Sequence, residues 1–273
     1  DVKTMLIESI AKAVGIDWTK TQIDRNSSNL NFDFEIAPAD FLRFAHQDFN
    51  SKDKKGLING LTNAKRAIDC QIDKFFACIG YEPNIELPQN AKEYIKRRRI
   101  PNSKANFPQK LKLLYALGVA PLGLISKIRG LRNSLEHEYK LPSESDVAEG
   151  IEIATLFIGT VENILHTFAS ELGIGNLSNM YTEDGRFANI INVNYKQESA
   201  SFEIRGIVNR NDRENLRVEG FEISKTTDQY LELLGLCIAI TTNGYIENAV
   251  YDFLQTIHCS IPEEKIKVNI DWN

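Results

Sequence analysis

Apolar residues recur every three or four positions through the first 173 residues, which is the spacing of one face of an α-helix. The longest run places seven apolar residues on one face: Leu57, Leu61, Ala64, Ile68, Ile72, Phe75 and Ile79. Ser51 is its predicted N-cap, and Gly80 and Pro83 are predicted to end it. A shorter helix is predicted to open at residues 37–40.

The same periodicity continues into two further helices. A helix with Pro121 in its first turn is predicted to end just after Tyr139. A last long helix, capped by Ser143 or Ser145, is predicted to run to Gly173. Short loops between helices of this kind favour an antiparallel bundle.

The pattern changes after residue 173. Residues 174–188 are interpreted as a linker, and residues 230–256 as helix. Short alternating runs predict strands at 190–195, 201–207, 216–223 and 265–270. The predicted fold class is therefore α+β, with an N-terminal all-α antiparallel helical bundle over residues 1–173. A smaller α+β domain of unknown role is predicted over residues 189–273.

Length and composition narrow the class of protein. The 273 residues suit one large domain or two smaller ones, and a hydrophobic fraction of 42% supports a core. No apolar run reaches the roughly 18 residues of a membrane span, and the first ten residues lack the basic region of a secretory signal. Cys70 and Cys78 would be about 12 Å apart along one helix, too far for a disulfide. We expect reduced cysteines and a cytoplasmic protein.

Charge is distributed unevenly along the chain. The formal net charge is −5, yet residues 91–140 hold twelve basic residues against three acidic ones. A local positive field of this kind attracts a phosphate backbone to one face of a protein. The candidate RNA contacts in it are Lys96, Arg97, Arg98, Arg99, Lys127 and Arg129. A solvated helix and loop surface is the alternative interpretation.

One cluster inside this basic segment carries candidate chemistry. Arg132, Asn133 and His137 lie within six residues, and Tyr139 follows two residues later. RNA cleavage by attack of a 2′-hydroxyl on the adjacent phosphate needs proton transfer and stabilisation of charge on the phosphoryl oxygens. Histidine transfers protons near neutral pH, and arginine forks onto phosphate oxygens.

Helical geometry restricts how these side chains cooperate. Asn133 and His137 are four residues apart and share a face, whereas Arg132 and His137 are five apart, about 140° around the helix. Arg132 and Glu136 are four apart and suit an ordinary surface ion pair. One chain supplies one such histidine, so a symmetric dimer would supply both an acid and a base.

The sequence Arg132-Asn133-x-x-x-His137 resembles the R-x4-6-H motif of the HEPN superfamily. Glu138-Tyr139, which follows it, resembles the continuation of that motif in a toxin subgroup. The resemblance covers residues 35–173. It implies a dimeric, metal-independent endoribonuclease of toxin–antitoxin or phage-defence systems, with RNA as substrate and a cognate antitoxin or defence partner. In that subgroup the antitoxin modifies the tyrosine; a tyrosine that packs at the helix end is the alternative for Tyr139.

The sequence contains no motif that indicates a metal site or a nucleotide-binding site. His46, His166 and His258 are scattered, and His258 beside Cys259 has no nearby ligand partner for zinc. Neither a phosphate-binding loop motif nor a dinucleotide motif is present, so we predict no cofactor and no metal. Two alternatives to the nuclease stay open: a non-catalytic HEPN-like module that binds RNA or a partner protein, and a purely structural interaction domain.

Overall fold

The computed structural model describes residues 2–83, 86–98, 100, 107–120, 122–183, 185–210, 213–256 and 261–271. The helices are α1 (Val2–Val14), α2 (Pro38–Phe49), α3 (Lys54–Cys78), α4 (Gln89–Arg97), α5 (Gln109–Ala116), α6 (Leu122–His137), α7 (Glu144–His166), α8 (Asp228–Thr242) and α9 (Ile246–Thr256). The strands are β1 (Thr21–Ser28), β2 (Phe168–Asn176), β3 (Ile190–Lys196), β4 (Ser201–Arg210), β5 (Arg213–Ser224) and β6 (Val268–Asp271).

The chain divides into two units. The α+β unit takes Asp1–Asn29, Pro88–Tyr94 and Thr167–Asn273, and the helical unit takes Leu30–Leu87 and Ile95–His166. The four predicted strands are confirmed as β3, β4, β5 and β6, and the predicted helix over 230–256 is confirmed as α8 and α9.

The predicted order of an all-α bundle followed by an α+β domain is wrong. Strand β1 precedes the helical unit in the chain and lies inside the sheet, whose order in the described part of the chain is β5-β4-β3-β2-β1-β6. The helical unit is therefore an insertion between two neighbouring strands, β1 and β2, which pair antiparallel. Ile23 is the one apolar residue of β1, so hydrophobic alternation does not reveal this strand.

Strand β2 was also missed, because the apolar spacing continues smoothly past the end of α7. That helix ends at His166 instead of Gly173, and the predicted boundary at 173/174 falls inside β2. The predicted linker at 174–188 begins with the end of this strand and includes a bridge between Tyr181 and Phe187.

The core of the α+β unit lies between the sheet and its helices. Helix α8 packs on β2, β4 and β5, and α1 packs on β3 and β4. An aromatic ladder runs through this core, with ring centroids 5.0–5.5 Å apart, formed by Phe168, Tyr195, Phe202 and Tyr230. Aromatic pairs at this separation stabilise a fold beyond the area they bury.

The helical unit is built on α2, α3 and α7, which pack on one another, and α6 packs on α3 and α7. Gly60 of α3 permits a close approach, because an added Cβ would lie 3.0 Å from Val147 and 3.3 Å from the Ala45 carbonyl. The N-cap of α3 is Asp53, not Ser51: its carboxylate accepts the Gly56 N–H at 2.7 Å.

No helix in the described ranges combines the length and the apolar character that a membrane span needs.

Candidate functional site

Four residues of α6 form one stripe that contains three of the predicted site residues. Ile125, Arg129, Asn133 and His137 follow one another at intervals of four. Ile125 is buried, Arg129 is partly buried, and Asn133 and His137 are exposed. The stripe therefore rises from the core to the surface as α6 approaches its end, and its last two members share one accessible face.

His137 is the last residue of α6, as the sequence predicts to within two residues. Helix carbonyls concentrate negative potential at this end, which favours a cation there. Arg132 belongs to the same helix by its backbone, but its side chain lies outside the described part of the structure. Its separation of five residues from His137 keeps the two on different faces.

The chain reverses just after His137. Tyr139 adopts a left-handed backbone with φ of 54°, and the N–H groups of Glu138 and Lys140 both donate to the Ser134 carbonyl. The Tyr139 side chain is 89% exposed. The alternative of a tyrosine that packs at the helix end is therefore wrong, and the ring of Tyr139 is accessible.

A cavity of about 350 Å³ lies along the α6 stripe on the core side of His137. Helices α3, α5 and α6 supply its polar lining: Lys65, Asp69, Asp73, Lys110, Arg129 and Asn133. Its apolar lining consists of Ile72, Pro108, Leu111 and Ile125. Polar side chains therefore outnumber apolar ones in this lining, and they converge on the cavity from three helices.

The charges in this cavity are partly compensated. Lys110 Nζ lies 2.9 Å from Asp73 Oδ1 and also donates to the Pro83 carbonyl, while Lys65 pairs with Asp69. Arg129 makes no hydrogen bond or ion pair with the residues that the structure describes. With three cations against two carboxylates, the cavity retains a net positive charge centred on α6.

Sequence reasoning identified Arg129 and Asn133 but missed the four other polar residues of the cavity. Lys65, Asp69 and Asp73 repeat every four residues along α3, on a face that periodicity alone assigns to solvent. Lys110 lies in the first turn of α5. The packing of α3 against α6 brings the three α3 side chains to the candidate site, and the ion pair with Asp73 places Lys110 of α5 there.

The remaining predicted RNA contacts are dispersed. Lys96 and Arg97 are exposed in the last turn of α4, and Arg98 is partly buried just after it. Lys127 of α6 pairs with Glu149 of α7. Arg99 lies outside the described residues.

The three cysteines in the described part of the chain offer no reactive thiolate at neutral pH. Burial raises the pKa of Cys70 to about 11 and that of Cys78 to about 12, and it raises the pKa of Cys237 further. All three are free thiols. Within the described ranges, no three His, Cys, Asp or Glu side chains are grouped closely enough to hold a metal ion.

The chain matches no protein-family model, no curated protein and no solved structure.

Proposed function

We propose that this chain is an endoribonuclease of the HEPN type that cleaves RNA without a metal ion, acts as a homodimer in the cytoplasm, and serves in phage defence or as a toxin. The observation that supports it best is the accessible face of α6. Asn133 and His137 lie one turn apart on that face, between a positively charged cavity and an exposed tyrosine.

The reaction is an internal transfer at phosphorus. His137 of one protomer accepts the proton of the 2′-hydroxyl as its oxygen bonds to the adjacent phosphorus. His137 of the second protomer donates a proton to the 5′-oxygen as the bond from phosphorus to that oxygen breaks. The products are a 2′,3′-cyclic phosphate and a 5′-hydroxyl, with no net consumption of water in this step.

Arg132 neutralises the charge that develops on the non-bridging phosphoryl oxygens. Asn133 carries both an amide donor and a carbonyl acceptor, so it orients either the imidazole or a phosphoryl oxygen. A dimer is needed because the acid and the base must lie on opposite sides of the phosphorus, and one protomer contributes a single histidine to the motif.

The test compares purified variants on total RNA in excess EDTA, at a concentration where light scattering reports a dimer. We expect cleavage by the unaltered chain and a loss of at least about 100-fold for His137→Ala and for Arg132→Ala. His166→Ala is a matched control, because His166 is an exposed last residue of α7 as His137 is of α6. Arg43→Ala is the control for arginine, since Arg43 pairs with Asp40 on α2.

The outcomes separate the three functions. Intact RNA in every lane, from a dimeric protein, would exclude the nuclease. If the chain then still retards RNA in a gel, it is an RNA-binding module. If it does not bind RNA, an interaction domain is the better description. Equal losses of RNA cleavage for His166→Ala and His137→Ala would mean that the loss in His137→Ala has a structural cause and not a catalytic one.

A further inference from the structure

The two ion pairs that line the cavity beside Asn133 differ in the exposure of their carboxylates. The Asp69 side chain, paired with Lys65, is 49% exposed, and the Asp73 side chain, paired with Lys110, is 34% exposed. The two lysines are alike, at 20% and 23%. We call the part of the cavity at Lys110 and Asp73 the deep end, because its carboxylate is the less exposed of the two.

We propose that this cavity binds the guanine nucleotide that neighbours the scissile phosphate, with the base in the deep end and a phosphate at Arg129. The proposal rests on the ribonuclease function above and deepens it by naming a base subsite. A volume of about 350 Å³ falls in the range of small-molecule pockets, which begins near 300 Å³.

The deep ion pair has the hydrogen-bonding pattern of a guanine edge. Guanine presents the O6 acceptor next to two donors, N1–H and N2–H₂. An ammonium donates to O6, and a carboxylate accepts from both N–H groups. Asp73 has acceptor capacity left after its bond to Lys110, because an ionised carboxylate accepts about four hydrogen bonds.

The other bases fit this pair less well. Uracil offers one N–H between two carbonyl oxygens, so one of its oxygens would face the carboxylate. Adenine and cytosine each offer a single amino group beside a ring acceptor. A site that leaves a buried polar group unpaired discriminates strongly against the wrong ligand.

The other residues that line the cavity would contact the base faces and the phosphate of the nucleotide. Ile72, Leu111 and Ile125 give the base an apolar surface. Arg129 is not engaged by the described residues, so its guanidinium is available to a phosphate. The α6 stripe then leads from Arg129 through Asn133 to His137, two turns or about 12 Å along the helix.

Direct binding tests the subsite without relying on cleavage. The full chain is titrated by calorimetry with GMP, AMP, CMP and UMP. We expect a Kd for GMP at least tenfold below that for UMP. Asp73→Asn should remove most of that difference, because an amide presents donors where the guanine N–H groups need acceptors. Glu162→Gln is the matched control, since Glu162 is likewise a carboxylate paired with a lysine of another helix, at 3.0 Å from Lys74, and does not line the cavity.

Equal affinity for all four nucleotides, absence of binding, or an unchanged preference in Asp73→Asn would each overturn the proposal. If Asp73→Asn fails to fold, Arg129→Ala replaces it, with a tenfold loss of GMP affinity expected and an unchanged affinity contradicting the site. A GMP preference without RNA cleavage would support the subsite and exclude the nuclease. Cleavage at all RNA sequences without a GMP preference would support the nuclease and exclude the subsite.

Discussion

The ammonium of Lys110 joins α5 to α3 through a contact of 2.9 Å with Asp73 Oδ1, and it also donates to the Pro83 carbonyl. This pair is less exposed than the ion pairs on the outer surface of the helical unit. Arg43 and Asp40, by comparison, have side-chain exposures of 60% and 38%. Screening by water is therefore weaker at Lys110 than at Arg43.

A double-mutant cycle on Lys110 and Asp73 is expected to give a coupling free energy of about 1 kcal/mol. The same cycle on Arg43 and Asp40 should give about 0.3 kcal/mol, the value of exposed helical pairs. Urea unfolding of the single and double variants measures both. Coupling at Lys110 no greater than at Arg43 would mean that the deep end of the cavity is solvated like an open surface.

Gln71 of α3 presents a second feature of the same unit. It is fully buried, and neither its amide nitrogen nor its carbonyl oxygen has a hydrogen-bond partner in the described part of the chain. A buried amide without partners costs roughly 1–3 kcal/mol. Gln71→Met preserves length and removes the polar atoms, so we expect the free energy of unfolding to rise by about 1 kcal/mol.

The control for that change is Gln47→Met, because Gln47 is exposed on α2. Its free energy of unfolding should stay within about 0.5 kcal/mol of the unaltered chain. A destabilised Gln71→Met variant would contradict the expectation and would show that the amide has a polar partner in the folded protein.

Most of the elements follow from the sequence, but the arrangement of the chain does not. The periodicity that predicts α3 and α7 arises because one face of each helix is buried. Burial is the property that the spacing of apolar residues shows most directly. Strand β1 is polar at Asp24, Arg25 and Asn26, and it is held by backbone pairing with β2 and β6, which no side-chain pattern records. The insertion of the helical unit between β1 and β2 therefore becomes visible only in the folded chain.

The candidate site, like the fold, is only partly predictable from the sequence. Asn133 and His137 can be paired from sequence alone, because a spacing of four residues on a helix fixes their common face. Asp73 and Lys110 are 37 residues apart, and their contact depends on how α5 packs on α3. Sequence reasoning gives the face of one helix, and tertiary packing supplies the opposite wall of the cavity.

The start of α7 provides a pH-dependent prediction. The Ser143 hydroxyl accepts the Asp146 N–H at 3.1 Å, and the Asp146 carboxylate accepts from the Ser143 hydroxyl at 2.7 Å and from its N–H at 3.0 Å. These bonds, that from the hydroxyl first, lower the pKa of Asp146 below its ordinary value of 3.8. The stabilisation is therefore present above that value and is lost as the pH falls through the lower, folded pKa.

We expect Ser143→Ala to lower the free energy of unfolding by about 1 kcal/mol at neutral pH, and by progressively less below pH 3.8. Ser145→Ala is the control, because Ser145 is exposed in the first turn of α7 and does not cap it. Chemical unfolding at several pH values measures both. A Ser143→Ala deficit that is independent of pH would exclude Asp146 as its source.

Tyr139, two residues after His137 in the chain, has both a strained backbone and an exposed side chain. A tyrosine with φ of 54° is strained by roughly 1 kcal/mol, because its Cβ crowds the backbone. Tyr245 shares both properties, with φ of 31° and a side chain that is 87% exposed, but it lies in the α+β unit. Substitution of either by glycine should raise the free energy of unfolding by about 0.5–1 kcal/mol.

The two variants should differ in RNA binding. An exposed aromatic ring offers a stacking surface to a base, worth roughly 1–3 kcal/mol when it is removed. We therefore expect Tyr139→Gly to weaken binding of a single-stranded RNA by at least about fivefold, in a filter-binding assay, and Tyr245→Gly to leave it unchanged. Equal affinity of the two variants would mean that the RNA does not reach the end of α6, and with it His137, which would count against the site as a whole.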